Sequence, residues 1–316
     1  MRMNTCVCST RTSDIDFMIE ELAKCRLKLA LNRSKLRLNL PTVEVCAVVR
    51  DSQLEVPHMM AYSTGLGGPA MPGITGIVIT FNEEGRIAEA LASLSCCDEV
   101  LVVDSGSTDQ TRHIARMLRA RVIEREWQGY SNQKNFAAEH ARNDWILSID
   151  ADERLSVELT DEIVQWKKSV SEGSPVAWSM PRRAFYLGRW IRHSGWYPDR
   201  KIRLYDKRHC HWEGDFVHER VRVNGDIGRF LEDLLHIPYR NWRDHEKRID
   251  RYTELAAQAA RSTGLRGNVF KLLLGPPFTF VRSFILRAGF LDGWRGLAIA
   301  YMGARYVFQR EFRILR

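Results

Sequence analysis

The chain has 316 residues, 45% hydrophobic and 27% charged, a globular composition with room for one large domain or two smaller ones, which excludes fibrous, collagen-like and disordered classes. Its formal net charge of +8 invites a nucleic-acid reading until the charge is placed along the chain. From Arg261 to Arg316 ten Arg and Lys residues stand against two acids, Asp292 and Glu311, so the whole excess lies there. A nucleic-acid-binding body would carry that charge itself, because phosphate neutralisation supplies most of its affinity. No nucleic-acid partner is expected.

Residues 1–70 show weak periodicity apart from a basic stretch, Lys24 to Leu40, that has the composition of a helix. Asp14, Asp16, Glu20 and Glu21 interrupt any apolar core, so the segment does not read as a signal peptide. It ends in a Gly/Pro-rich joint, Gly65 to Gly73, containing Met71-Pro72. Regular patterning begins right after that joint, so residues 1–70 are expected to be a poorly ordered extension, with Met71 a candidate for the working start. The seven cysteines form no disulfide framework; Cys96 and Cys97 are adjacent, and Cys6 and Cys8 lack a partner pair at zinc spacing. A reducing cytoplasm accounts for them.

From Ile74 apolar β-branched runs alternate with helical patterns. Strands are expected at Ile74 to Thr80, Glu99 to Val103, Arg121 to Glu124 and Trp145 to Ile149, and helices at Glu84 to Leu94, Thr108 to Leu118 and about Ser131 to Ala141. Continuous apolar strands separated by helices predict an α/β fold, a mostly parallel sheet covered on both faces, with ligands at the carboxyl ends of the strands. Those ends are polar: Thr80-Phe81-Asn82-Glu83-Glu84, Asp104-Ser105-Gly106-Ser107-Thr108-Asp109 and Asp150-Ala151-Asp152-Glu153. Thr108 or Asp109 suits a helix N-cap. Three acidic ends at one edge raise each other's cost of ionisation unless a cation joins them. Asp150 and Asp152 are placed to share one divalent ion, and oxygen ligands suit Mg2+ or Mn2+, which complete their shells with substrate phosphates. A diphosphate substrate is therefore expected.

In this order the segments ITGIVITFNEEGRIAEALASL, DEVLVVDSGSTDQT and GYSNQKNFAAEHARNDWILSIDADERLS resemble family 2 glycosyltransferases of the GT-A fold, in particular the lipopolysaccharide core β-glucosyltransferase group. WYPDRKIRLYDKR, HWEGDFVHERV and GFLDGWRGL extend the resemblance to about Ile74 through Arg316. It implies a Rossmann-like GT-A domain over 71–240 and a helical, basic and aromatic region over 241–316. By that resemblance Thr80, Asn82 and Glu83 line the nucleotide pocket, and Asp104 accepts uracil or ribose hydrogen bonds. Lys134 touches the nucleotide or stands as a solvated helix lysine, Asp150 holds the ribose side, and Asp152 holds the metal. The acceptor-side base is Glu219, with Asp215 second and His218 a neighbour; Arg203 is the basic residue expected to steady the diphosphate.

The reaction so implied is an inverting transfer of a sugar, glucose from UDP-glucose, to a lipid-anchored saccharide such as the lipopolysaccharide inner core. A polyprenyl-phosphate glycosyltransferase shares the donor half. A nucleotidyltransferase would place a Gly-rich basic loop after the first strand, where Asn82-Glu83-Glu84 stands, and a nicotinamide enzyme would place G-x-G-x-x-G there. In the tail, arginines interleave with Phe270, Phe278, Phe280, Phe284, Phe290, Trp294, Tyr301, Tyr306 and Phe308, the mixture of helices lying in the headgroups of an anionic membrane. Its longest uncharged stretch, Leu272 to Val281, contains Pro276 and Pro277, which argues against a span of roughly 20 apolar residues. The expected place is peripheral, on the cytoplasmic face of a bacterial inner membrane.

Overall fold

The computed structural model describes residues 71–214, 219–264 and 267–316. The expectations for 1–70, and for Asp215 and His218, lie outside the described residues. Among the described residues twelve strands and seven α-helices follow in chain order. The first part runs β1 (Ile74–Thr80), α1 (Ile87–Ser93), β2 (Glu99–Asp104), α2 (Thr111–Met117), β3 (Arg121–Glu124), α3 (Tyr130–His140), β4 (Trp145–Asp150), β5 (Glu153–Leu155) and α4 (Val157–Ser169). The second runs β6 (Ala177–Tyr186), β7 (Arg189–Trp190), β8 (Asp199–Asp206), β9 (Cys210–Glu213), β10 (Arg220–Val223), β11 (Ile227–Arg229) and β12 (Leu234–His236), then α5 (Trp242–Ser262), α6 (Val269–Val281) and α7 (Trp294–Leu315).

The main sheet has the order β3-β2-β1-β4-β8-β6-β12-β5. The first four strands are mutually parallel, as their apolar runs predict. Beyond β4 the sheet turns mixed: β8 is antiparallel to both β4 and β6, while β12 is parallel to β6 and antiparallel to β5. Every residue of β1 is buried, and the strand's alternation divides them between two cores. Ile74 and Val78 face Ile87, Leu91 and Leu159, whereas Ile77 and Ile79 face Ala137 and Ala138 of α3. Gly76 lets α1 lie close, since a Cβ there would meet Leu94 Cδ1 at 3.0 Å. The helix expected from Glu84 begins later, at Ile87, because Glu83 O accepts from both Arg86 N–H and Ile87 N–H and closes a turn first.

Order 3-2-1-4 places β2 on one side of β1 and β4 on the other. The chain reverses its direction of growth there, which opens a crevice at their carboxyl ends. Asn82, Asp104 and Asp150 all emerge at this crevice.

Helices α5–α7 are tied to the sheet by specific polar contacts. Tyr186 of β6 hydrogen-bonds His245 of α5 at 2.8 Å. Buried Asp292 accepts from His193 N–H at 2.9 Å. Gly296 passes against the turn before α7 so closely that a Cβ would lie 1.8 Å from Gly289 O. One expectation needs correcting here: Pro276 and Pro277 do not break the helix. α6 runs through both and into a π-type turn, Arg282–Leu286. Together they make an 18-residue helix, Val269–Leu286, with mean hydropathy 1.4 and no buried residue, long and apolar enough to cross a membrane by length and composition.

Candidate active site

The crevice is built first by main chain. Asp104 Oδ1 accepts from the N–H groups of Gly106 and Ser107 at 3.1 and 2.8 Å, and Oδ2 accepts from the Ser107 hydroxyl at 2.5 Å. This is the Asx-type turn that an Asp-Ser-Gly-Ser sequence favours, with Gly106 at φ +89° supplying the left-handed step. Asn82, itself at φ +55°, locks onto that turn: its N–H donates to Ser107 Oγ at 2.8 Å and its Oδ1 accepts from Thr108 N–H at 2.8 Å. Glu83 N–H donates to Thr111 Oγ1 at 2.8 Å, and Asp109 Oδ1 accepts from Thr111 N–H at 3.0 Å at the start of α2. The loops after β1 and β2 thus form one rigid lip. Asp104 is wholly buried inside it, so its carboxylate shapes the lip. Beside it, Thr80 Oγ1 and Gln133 Oε1 are buried polar atoms with no hydrogen-bond partner among the described residues.

Next to the lip stands a charge cluster centred on Asp150. Its Oδ1 lies 3.0 Å from Lys134 Nζ and its Oδ2 accepts from Arg203 Nη2 at 2.7 Å. Burial would raise the carboxyl's pKa, but the Arg203 guanidinium and the Lys134 ammonium outweigh it and hold the group well below the usual carboxylate range. Lys134 is fully buried on α3; its Nζ also donates to Glu219 Oε1 at 2.8 Å and sits 4.2 Å from the Trp212 ring centroid. The solvated-lysine alternative is therefore excluded. Arg203 lies behind Asp150, bonded to Asp150 and at 2.6 Å to buried Glu153, which Arg182 holds from the other side at 3.0 Å. Its role here is to anchor β8 to β4, so the expected phosphate contact is not the duty this geometry gives it.

Asp152 turns the other way. Its Oδ2 faces His236 Nε2 at 3.4 Å and Arg86 Nη1 at 3.8 Å. Burial raises its pKa, and the hydrogen bond and charge of His236 more than reverse that. Burial pushes Glu83 upward, partly offset by Arg86; its Oε2 is buried without a hydrogen-bond partner among the described residues. Asp152 borders a small pocket of about 360 Å³ shared with Arg86 and Arg240. His236 is absent from the sequence reading. It arrives through pairing, His236 of β12 opposite Glu153 of β5, with Ile237 N–H donating to Asp152 O at 2.9 Å. No local signal in Leu234-Leu235-His236 reveals this.

The two acids expected to share a cation are thus differently employed. Both Asp150 oxygens are bonded to cationic side chains, whereas Asp152 shares its open side with an imidazole. No cluster of three or more His, Cys, Asp or Glu side chains placed to hold an ion is found among the described residues. Asp152 with His236 is a pair, one oxygen and one nitrogen donor, whose chemistry fits a transition ion such as Mn2+ better than the oxygen-seeking Mg2+, with the remaining positions left to substrate oxygens.

Glu219, Asp150 and Trp212 open onto a second, larger cavity of about 1200 Å³ between the sheet and helices α5–α7. Glu219 Oε2 is buried just behind that wall and has no hydrogen-bond partner among the described residues. One carboxylate is therefore gripped at one oxygen and unengaged at the other, on the wall of a cavity that adjoins the strand ends. That arrangement suits proton transfer from a bound hydroxyl.

Comparison with known proteins gives the class. The profile described as glycosyl transferase family 2 matches residues 75–218. A glycosyltransferase of Rickettsia typhi is 32% identical over 257 residues, covering 78% of this chain and 88% of that protein. The lipopolysaccharide core biosynthesis glycosyltransferase LpsC of Rhizobium meliloti is 28% identical over 257 residues, covering 77% and 94%. Among solved structures, glucosyl-3-phosphoglycerate synthase of Mycobacterium tuberculosis, crystallised with Mn2+ and UDP, is 26% identical over 37% of this chain and 45% of that one, with a TM-score of 0.30. The chain belongs to glycosyl transferase family 2.

Proposed function

We propose that the protein transfers a hexose, glucose from UDP-glucose, with inversion to a saccharide anchored in a membrane, such as the inner core of a lipopolysaccharide. The observation that carries this reading is the division of carboxylates at the crevice: Asp152 pairs with His236 on the donor side, while Glu219 opens into the large cavity. The name of the Rhizobium relative supports the acceptor class.

The lip of Asn82, Glu83 and the turn around Asp104 receives the nucleotide, with Thr80 as a further pocket polar group. Bound at Asp152 and His236, a divalent ion would supply a Lewis acid for the diphosphate oxygens. Lys134 and Asp150 hold the floor between the two subsites. Glu219 takes the proton from the acceptor hydroxyl at Oε2 while Lys134 fixes Oε1, so that the acceptor oxygen is freed to attack the sugar from the face opposite the leaving group. Asp215 is the second choice for this role.

Membrane attachment is part of the proposal. Phe270, Leu273, Leu274 and Phe278 of α6 are 60–76% exposed, and Leu286, Phe290, Leu291 and Trp294 continue the apolar surface. Arg282, Arg287 and Arg295 are interspersed with these residues in the sequence, a composition suited to the headgroup layer of an anionic bilayer. The surface proposed is the cytoplasmic side of a bacterial inner membrane.

Incubating the purified protein with a panel of nucleotide sugars, with and without Mn2+ or Mg2+, tests the reading. Release of UDP from UDP-glucose above all other donors, and only with the ion, is expected. Turnover of no nucleotide sugar, or release of pyrophosphate in its place, overturns it.

A further inference from the structure

We propose that the large cavity takes a saccharide carrying negative charge, phosphate or carboxylate, and that Arg200 and Lys271 bind that charge; this rests on the assignment of the cavity to the acceptor. Its walls hold seven Arg or Lys residues against three carboxylates, Asp150, Glu219 and Glu311. Each of those carboxylates already has a cationic partner: Lys134 and Arg203 for Asp150, Lys134 for Glu219, and Arg310 for Glu311. Arg182 and Lys201 meet Asp199, at 2.6 and 3.1 Å. Arg200 and Lys271 have no carboxylate at ion-pairing distance among the described residues.

Arg200 also ties β8 to β6 and to Phe230, but it does so through neutral carbonyls, and Lys271 makes no ion pair among the described residues. Arg200 Nη2 donates to the carbonyls of Ser179 and Phe230 at 2.8 and 2.6 Å. Those bonds fix the half-buried guanidinium in place without neutralising its charge, so its remaining N–H groups stay available to an anion. A guanidinium held in this way is suited to phosphate or carboxylate. Lys271 sits in the first turn of α6, capped by Asn268, where a cation opposes the helix dipole. Its placement costs the helix and serves the cavity wall. Tyr252 and Tyr306 add aromatic surface for sugar faces, and the volume of about 1200 Å³ exceeds the roughly 300–1,000 Å³ of ordinary small-ligand sites, so several sugar units fit.

The test uses full-length protein saturated with UDP and Mn2+, so that the donor side is filled, titrated with three disaccharides: mannobiose, mannobiose 6-phosphate and glucuronyl-mannose. Calorimetry should give about tenfold tighter binding for one or both anionic sugars than for mannobiose, with the preference shrinking as salt is added. The stronger of the two anionic ligands identifies the charged group. Lys271→Gln, at an exposed position, should reduce the preference several-fold, and Arg200→Gln with Lys271→Gln should erase it, with UDP affinity unchanged in both. Equal affinity for neutral and anionic sugars, or no binding of any, with UDP bound normally, overturns the inference while leaving the donor reading intact. Failure to bind UDP removes the donor reading and the inference with it.

Discussion

The two sides of the crevice that meet at Asp150 are built by different means. On the donor side, short side chains and main-chain N–H groups from two consecutive loops interlock, with Asn82, Asp104, Ser107 and Thr111 all within a stretch of 30 residues. On the acceptor side, long cations and aromatics converge from β8, β10, α5, α6 and α7. A rigid lip suits a ligand of fixed shape, such as a nucleotide diphosphate, because preorganised donors lower the ordering cost of binding. A wide, charged chamber suits a larger, polar ligand. Lys134 is the joint between the two sides, touching Asp150 on one and Glu219 on the other.

Separating the sides by substitution gives the largest expected effects. Glu219→Gln should lower transfer by about 10²–10⁴-fold while UDP binding is unchanged; full turnover would pass the base role to Asp215. Asp152→Asn should also abolish ion-dependent transfer, but through the donor side, so calorimetry should show UDP affinity no longer enhanced by Mn2+. His236→Ala should share that phenotype if the pair acts together, and normal Mn2+ enhancement would dissolve the pair.

The cluster behind Asp150 is a stability element. Glu153 is buried and accepts from both Arg182 and Arg203. Glu153→Ala leaves two guanidinium groups short of a partner and should cost on the order of 3–5 kcal/mol in urea unfolding. A loss under 1 kcal/mol would mean that the cluster is not holding β8 and β6 to β5.

On the acceptor side, Phe270→Glu with Leu273→Glu should reduce binding to vesicles of anionic lipid by at least about tenfold, since each buried apolar side chain contributes roughly 1.5–3 kcal/mol. Activity on a soluble donor panel should stay unchanged. Undiminished vesicle binding would place the membrane contact elsewhere.

The smallest effect concerns His245, which joins α5 to Tyr186. Burial holds its pKa down at about 4, so the folded state keeps it neutral where the unfolded chain, at an ordinary 6.5, takes up a proton. Its contribution should be complete above pH 6.5 and decline as pH falls toward 4. His245→Gln should flatten that part of the stability curve; an unchanged slope would exonerate the residue.

These regions also differ in how far the sequence reveals them. β1, β2, β3 and β4 stand where apolar runs put them, and the strand-end acids are at the crevice because a parallel sheet sends its carboxyl ends to one edge. The partners of those acids are a different matter. His236 meets Asp152 only because β12 pairs with β5, and Arg203 reaches Asp150 only because β8 runs antiparallel beside β4. Such contacts depend on strand order, which composition and periodicity do not encode. Lys134 reads as a helix lysine in a polar segment, and its burial follows from α3 packing over Trp212. The prolines of α6 mislead in the opposite sense: they are read as a stop, yet the helix continues through them and presents an exposed apolar face.

The most direct test of the account follows hydrogen exchange with UDP and Mn2+ added to the full-length protein. The division into two sides predicts slowed exchange in 80–84, 104–111 and 150–153, with little change in α5, α6 and α7. Protection confined to those helices, with the strand ends unaffected, would contradict it.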